Sequence, residues 1–407
     1  MNANWFVRSL TAAALLLPAS AQPQLKYVVI VSRHGVRSPT WDADRLKQYS
    51  AEPWPDWGVG PGELTPHGRE LIKILGSYYR ERFAQERLLG GKGCAGEVYI
   101  WADTDERTLE TGRAFAESLQ PGCGLGIHSR DEKGKDPIFG GFGGLDPQLA
   151  AEAVRARLDP DPREILNEHR TALELLQFIL DGGKPTAKRL FEPTTGVGVA
   201  IQGKNVELRG PFAAGSTLSE NLLLEYTNGI TGDAPGWGRL TKDNLFQVLE
   251  LHRVYADLMR RTSYLARVRG SNLMAHVLAS MEQAVAGKRV PGAIGTPETK
   301  VLLLSGHDTN LSNLSGILDL SWKLQGYQQD ETPPGGALIF SVWSDGGKVS
   351  VRMEYLAASL DQMRRAEKLS LAHPPLVEAL RFESSWPGFR AAVRKSIDAS
   401  HVDFEMR

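Results

Sequence analysis

Tyr27-Val28-Val29-Ile30-Val31-Ser32-Arg33-His34-Gly35-Val36-Arg37-Ser38-Pro39-Thr40 is the stretch that decides the fold. An apolar run rich in β-branched residues, closed by Gly35 and Pro39, is the pattern of a buried strand ending in a loop. Its carboxyl end carries Arg33, His34 and Arg37. Guanidiniums this close repel each other unless an anion lies between them, so the cluster calls for a phosphate or carboxylate. The same positive charge disfavours protonation of His34. A neutral imidazole beside a bound phosphoryl group is a nucleophile.

Two further apolar runs end the same way. Val98-Tyr99-Ile100-Trp101-Ala102 leads into Asp103-Thr104-Asp105-Glu106-Arg107, where a helix begins. Acidic residues cap such a helix, but Arg107 opposes its dipole, which implies a partner holding it there. Lys300-Val301-Leu302-Leu303-Leu304 leads into Ser305-Gly306-His307-Asp308, and a helix follows at once. Parallel sheets collect ligand chemistry at the carboxyl ends of their strands. The reading is therefore an α/β fold in which one sheet edge gathers Arg33, His34, Arg37, Arg107, His307 and Asp308. That set fits a phosphoryl group in flight, with His34 attacking and Asp308 protonating the departing alkoxide. This division of labour hydrolyses a phosphomonoester, and no metal or cofactor is expected.

At 407 residues the chain exceeds one ordinary core. A net charge of −1 gives no bulk attraction to nucleic acid or membrane. Arg8, the apolar run over residues 10–17 and Ala19-Ser20-Ala21 match a signal peptide over residues 1–21. The expectation is a periplasmic or secreted protein without a membrane anchor, acting as a monomer on a small phosphomonoester. In that setting Cys94 and Cys123, the only two cysteines, read as a disulfide.

Residues 41–62, rich in Trp, Pro and Gly, read as an irregular rim. Thr65-Pro66 opens a helix with a capping threonine and proline at the first position. Residues 148–264 carry long amphipathic stretches and few strand signals, and read as an inserted, mainly helical subdomain. Residues 22–147 and 265–407 then form the α/β domain. Glu220 is placed early on one helix, where it would complement the dipole. Residues 336–343 and 348–355 alternate across Ser344-Asp345-Gly346-Gly347, a hairpin signal.

With Leu64-Thr65-Pro66, Pro235-Gly236-Trp237-Gly238 and Thr332-Pro333-Pro334-Gly335-Gly336 between and around these motifs, the chain resembles the histidine acid phosphatases. These form branch 2 of the histidine phosphatase superfamily, and the resemblance is strongest to the bacterial phytase and glucose-1-phosphatase group. It implies a phosphoglycerate-mutase-like, mostly parallel sheet flanked by helices. It also implies a phosphohistidine at His34, a phosphate clamp of Arg33, Arg37, Arg107 and His307, and Asp308 as proton donor. Thr40, Glu220 and Arg269 match substrate-side positions of the phytases. Trp41 departs from the basic residue that the best-known phytases carry there, and of their disulfides only Cys94–Cys123 has a counterpart. The expected activity is phytase-like with broad specificity. The alternatives are a glucose-1-phosphatase or other sugar phosphatase, a mutase-like phosphotransferase, and a non-catalytic phosphate-binding protein.

Overall fold

The computed structural model describes residues 22–405 except 91–93, 95, 131–133, 135, 159–160, 193–195 and 230–234, so the expected signal peptide lies outside the described residues. The strands are β1 (Gln24–Arg33), β2 (Val98–Ala102), β3 (Gly198–Gln202), β4 (Asn205–Arg209), β5 (Val301–Gly306), β6 (Ala337–Asp345), β7 (Lys348–Ala357) and β8 (Leu376–Leu380). Six form one sheet in the order β2-β5-β1-β6-β7-β8. β5 runs parallel to both β1 and β2, with Val301 opposite Val28 and Val98. Every residue of β5 is buried, as befits a strand covered on both faces. Beyond β1 the neighbours β6, β7 and β8 alternate in direction, so β7 again shares the sense of β1. The β6–β7 turn places Gly346 and Gly347 at φ +53° and +85°, which the two-residue hairpin turn requires.

Helices flank this sheet. Pro66–Gln85 packs on Glu106–Leu119, Pro211–Thr227 on Lys242–Met259, and Ser263–Ala286 on Asp308–Leu318. Residues 137–286 are mainly helical, but β3 and β4, five residues each, form a small separate hairpin that the sequence reading missed. The last sheet strand, β8, also escaped the sequence reading, because its residues are mostly exposed and carry no apolar run. Glu220 lies in the middle of the Pro211–Thr227 helix and not at its start, so dipole complementation does not explain it. Cys94 and Cys123 are joined as a disulfide, with Cα atoms 5.3 Å apart.

What positions the first strand end is the close seating of residues 34–37 on the start of the Pro66–Gln85 helix. Thr65 caps that helix through Oγ1, which accepts from Gly68 N at 2.9 Å. Thr65 N in turn donates to Val36 O at 3.0 Å. The fit leaves no room for a methyl group at Gly68, where a Cβ would come within 2.1 Å of Val36 O. Gly68→Ala should cost about 1–3 kcal/mol, the usual penalty for overpacking against backbone. Gly90, with open space around it, is the control. The comparison is of melting temperatures, and equal values for the two variants would refute this account of the loop.

Candidate active site

His34 follows the last residue of β1, and the loop is fastened from both sides. His34 N donates to Gly306 O at 2.8 Å, and His34 O accepts from Gly335 N at 3.0 Å. Gly35 N donates to Thr111 Oγ1 at 3.0 Å. The imidazole Nδ1 lies 2.8 Å from Gly35 O. A carbonyl only accepts, so Nδ1 carries the hydrogen and the lone pair belongs to Nε2. Burial, then the charges of Arg33, Arg107 and Arg37, hold His34 well below the usual histidine range. It is a neutral base with a free Nε2.

Three guanidiniums surround it. Arg33 is fully buried, donating through Nη1 to Thr332 O at 2.5 Å and through Nη2 to Glu220 Oε1. Arg37 donates to Ser38 O at 2.9 Å, and its Nη2 lies 3.4 Å from the same Glu220 oxygen. Burial disfavours the Glu220 carboxylate, but Arg37 and Arg33 outweigh that and hold its pKa below the ordinary value. Arg107 reaches in from the Glu106–Leu119 helix, with Nη2 2.6 Å from Asp105 and 3.5 Å from His307 Nδ1. Asp105 is thus the partner that holds a cation at this helix N-terminus. Arg33 Nε, Arg37 Nε and Arg107 Nε are buried without a hydrogen-bond partner among the described residues. Three buried N–H donors of this kind around one imidazole suit an oxyanion.

His307 stands at the end of β5, its ring centroid 5.6 Å from that of His34. Its Nε2 is 2.8 Å from Asp103 Oδ2, at the end of β2. All three strand ends therefore meet. Asp308 is the first residue of its helix, where the dipole favours an anion. Burial opposes ionisation, yet Arg260, Arg33 and His252 hold Asp308 well below the usual carboxylate range. Arg260 Nη1 donates directly to Asp308 Oδ2, and His252 Nε2 lies 3.6 Å from it. His252 Nδ1 is 2.9 Å from Glu331 Oε1. Burial would lower the His252 pKa, but Glu331 and Asp308 prevail and push it up to about 9.

The structure brings together His34, Arg33, Arg37, Arg107, Glu220, His307 and Asp308. Thr40 is exposed on the rim beside Gly62. Trp41 borders a cleft of about 710 Å³ with Pro39, Trp54, Trp57 and Pro61, and the Arg45 guanidinium stacks 3.8 Å above its ring. Arg269 donates to Met259 O at 3.2 Å and makes no described hydrogen bond to the others. Sequence reasoning missed Arg260, His252, Glu331 and Asp103. An arginine after a helix end and a histidine inside one have ordinary explanations, and only proximity to Asp308 distinguishes them. Among the described residues, Asp103/Asp105/His307 and Glu220/His252/Asp308 are close enough to share a cation. In both groups the carboxylates are already paired with cationic or N–H-bearing side chains of the chain itself.

Comparison with known proteins agrees with this geometry. The family described as histidine phosphatase superfamily (branch 2) matches residues 24–174 and 216–355. The chain is 36% identical over 379 residues to phytase AppA of Escherichia coli, covering 88% of this chain and 86% of that protein. It is 29% identical over 391 residues to the glucose-1-phosphatase of Salmonella typhimurium, covering 89% and 90%. Hafnia alvei phytase in complex with myo-inositol hexakis sulphate superposes with a TM-score of 0.84 at 31% identity, covering 95% of this chain and 100% of that one. With both motifs in place at one sheet edge, the chain belongs to branch 2 of the histidine phosphatase superfamily and is a hydrolase of phosphomonoesters.

Proposed function

We propose that the protein is an exported, phytase-like acid phosphatase that works through a phosphohistidine at His34 and takes inositol hexakisphosphate among a broad range of esters. The observation that carries the chemistry is a neutral His34 with no described partner at Nε2, set among three guanidiniums whose Nε–H groups have no partner among the described residues. The phosphate sits on Arg33, Arg37 and Arg107, with His307 held towards it by Asp103. His34 Nε2 attacks phosphorus, the P–O ester bond breaks, and the oxygen leaves with a proton from Asp308. Water then attacks phosphorus and gives a proton to Asp308, the P–N bond breaks with its electron pair returning to Nε2, and inorganic phosphate is released. Glu220 acts behind the clamp, keeping Arg33 and Arg37 together against their repulsion. Likeness to phytases over most of the chain supports the substrate class. The cation that the sequence lacks at position 41 stands at Arg45, carried on the Trp41 ring. The pattern over residues 1–21 supports export, and no helix among the described residues is long and apolar enough to cross a membrane.

His34→Ala should lower turnover by roughly 10³-fold or more and abolish acid-quenched labelling by substrate phosphate. Retained turnover without label would refute the mechanism. Because burial and the arginines depress the His34 pKa, the nucleophile persists into acid and is lost only below that depressed value. Asp308 donates only when protonated, so kcat on an alkyl phosphate should fall as pH rises. A profile climbing steadily past neutrality contradicts this. Rates on inositol hexakisphosphate and glucose 1-phosphate, measured side by side at acid pH, decide the substrate class. A clear preference for the sugar phosphate would make the glucose-1-phosphatase reading the correct one.

A further inference from the structure

Asp308 presents a chemical difficulty in the role of acid. Its Oδ2 is in contact with Arg260, with His252 a short distance beyond. A carboxylate held between two cations is stabilised in the form that has no proton to give. The groups facing it from the surrounding elements are Arg33 on β1, Arg37 on the loop after β1, Glu220 on the Pro211–Thr227 helix, His252 on the Lys242–Met259 helix, Arg260 at that helix's C-terminus and Tyr355 on β7. For Asp308 to donate, one of the cations has to move away.

Of these cations, Arg260 is the most exposed. His252 is tied to Glu331, with side chains 2% and 0% exposed. Arg33 is fixed by Thr332 O and Glu220. Arg260 is 14% exposed on its side chain, and its other contact is the face of Tyr255, with the ring centroid 6.0 Å away. No backbone carbonyl holds its guanidinium among the described residues. Its position also fixes what could attract it. The acid must stand at the ester oxygen, so a group reaching Arg260 belongs to the alcohol half of the substrate and not to the phosphoryl being transferred.

We propose that Arg260 is the receptor for a second phosphate, carried on a neighbouring carbon of a polyol substrate, and that its transfer from Asp308 to that phosphate frees Asp308 to take up a solvent proton. That proton is the one later given to the departing alkoxide. A polyphosphorylated polyol thereby arms the general acid, whereas an ester with a single phosphate leaves Arg260 on Asp308. The inference rests on the reading of Asp308 as proton donor and names the substrate feature the site selects.

The test compares wild type with Arg260→Gln and Arg260→Lys on three esters. These are inositol hexakisphosphate, glycerol 2-phosphate, which has one phosphate and an alkoxide leaving group, and 4-nitrophenyl phosphate, whose phenolate leaves without a proton. In Arg260→Gln the ratio of kcat/KM for hexakisphosphate to that for glycerol 2-phosphate should fall about tenfold or more, mainly through KM, as loss of a charged contact predicts. Removing the cation raises the Asp308 pKa, so the alkaline limb of kcat on glycerol 2-phosphate should move to higher pH. Arg260→Lys should keep part of the preference. An unchanged ratio, an unmoved limb, or equal losses on all three esters at an unchanged melting temperature would overturn the proposal. If Arg260→Gln does not fold, the Lys variant carries the same comparison, and an unchanged ratio there counts against it. Asp308→Asn separates the two layers. If it hydrolyses glycerol 2-phosphate as well as wild type, the donor reading fails and the inference with it. If it loses that ester while keeping 4-nitrophenyl phosphate, and Arg260→Gln changes nothing, the donor reading stands and only the role of Arg260 falls.

Discussion

The buried carboxylate of Glu220 between Arg33 and Arg37 is the interaction on which the rest of the site depends. Two guanidiniums packed against one histidine at the end of a hydrophobic strand would, without it, be uncompensated charges in a low-dielectric interior, at a cost of several kcal/mol each. Glu220 offsets that cost. It leaves the Nε hydrogens of both arginines unused. The two guanidiniums are therefore paired and held in the structure as it stands, before any oxyanion is bound. Preorganisation of this kind stabilises developing charge without reorganising the site during reaction.

The sheet explains why the parts meet. β1, β5 and β2 lie side by side and point the same way, so their carboxyl ends share one edge. Close packing then sets the height of the nucleophile above that edge. Gly68 admits Val36 O, and the Thr332-Pro333-Pro334-Gly335-Gly336 segment closes on the other side through Gly335 N and Gly336 O. Residues far apart in sequence are thereby held to a common geometry by backbone contacts, which do not depend on side-chain rotamers.

Much of this was legible in the sequence, for identifiable reasons. β2 appears where the apolar run placed it, and the Pro66–Gln85 helix starts at its Thr-Pro signal, because buried strands and capped helices each leave a local pattern. The three strand ends were legible because charge directly after an apolar run is costly unless it has a use. What stayed hidden is what local pattern does not encode. β8 has no buried face to mark it, and Arg260, His252 and Glu331 matter only through a long-range encounter with Asp308. Glu220 was found by resemblance, while its role as counter-ion required seeing which cations lie over the middle of its helix. Arg269, found in the same way, turns instead to the backbone of Met259.

Charge counting around the nucleophile adds a constraint on how the general acid is used. Arg33 and Arg37 pair with Glu220, and Arg260 and His252 with an ionised Asp308 and Glu331; the two groups adjoin where Glu220, His252 and Asp308 come within 4.8 Å of one another. The network carries one more positive than negative charge. A phosphomonoester monoanion balances it, whereas a dianion, formed above a pKa of about 6, overshoots by one. Excess negative charge in the site opposes ionisation of its carboxylates, Asp308 among them. On the proposed mechanism, binding of the reacting phosphoryl group pulls in the same direction as withdrawal of Arg260, and both act on the carboxyl proposed to protonate the leaving group. A site that rests near neutrality with its acid ionised, and gains a proton as anionic substrate enters, keeps its cations paired in the empty state and couples the proton to occupancy.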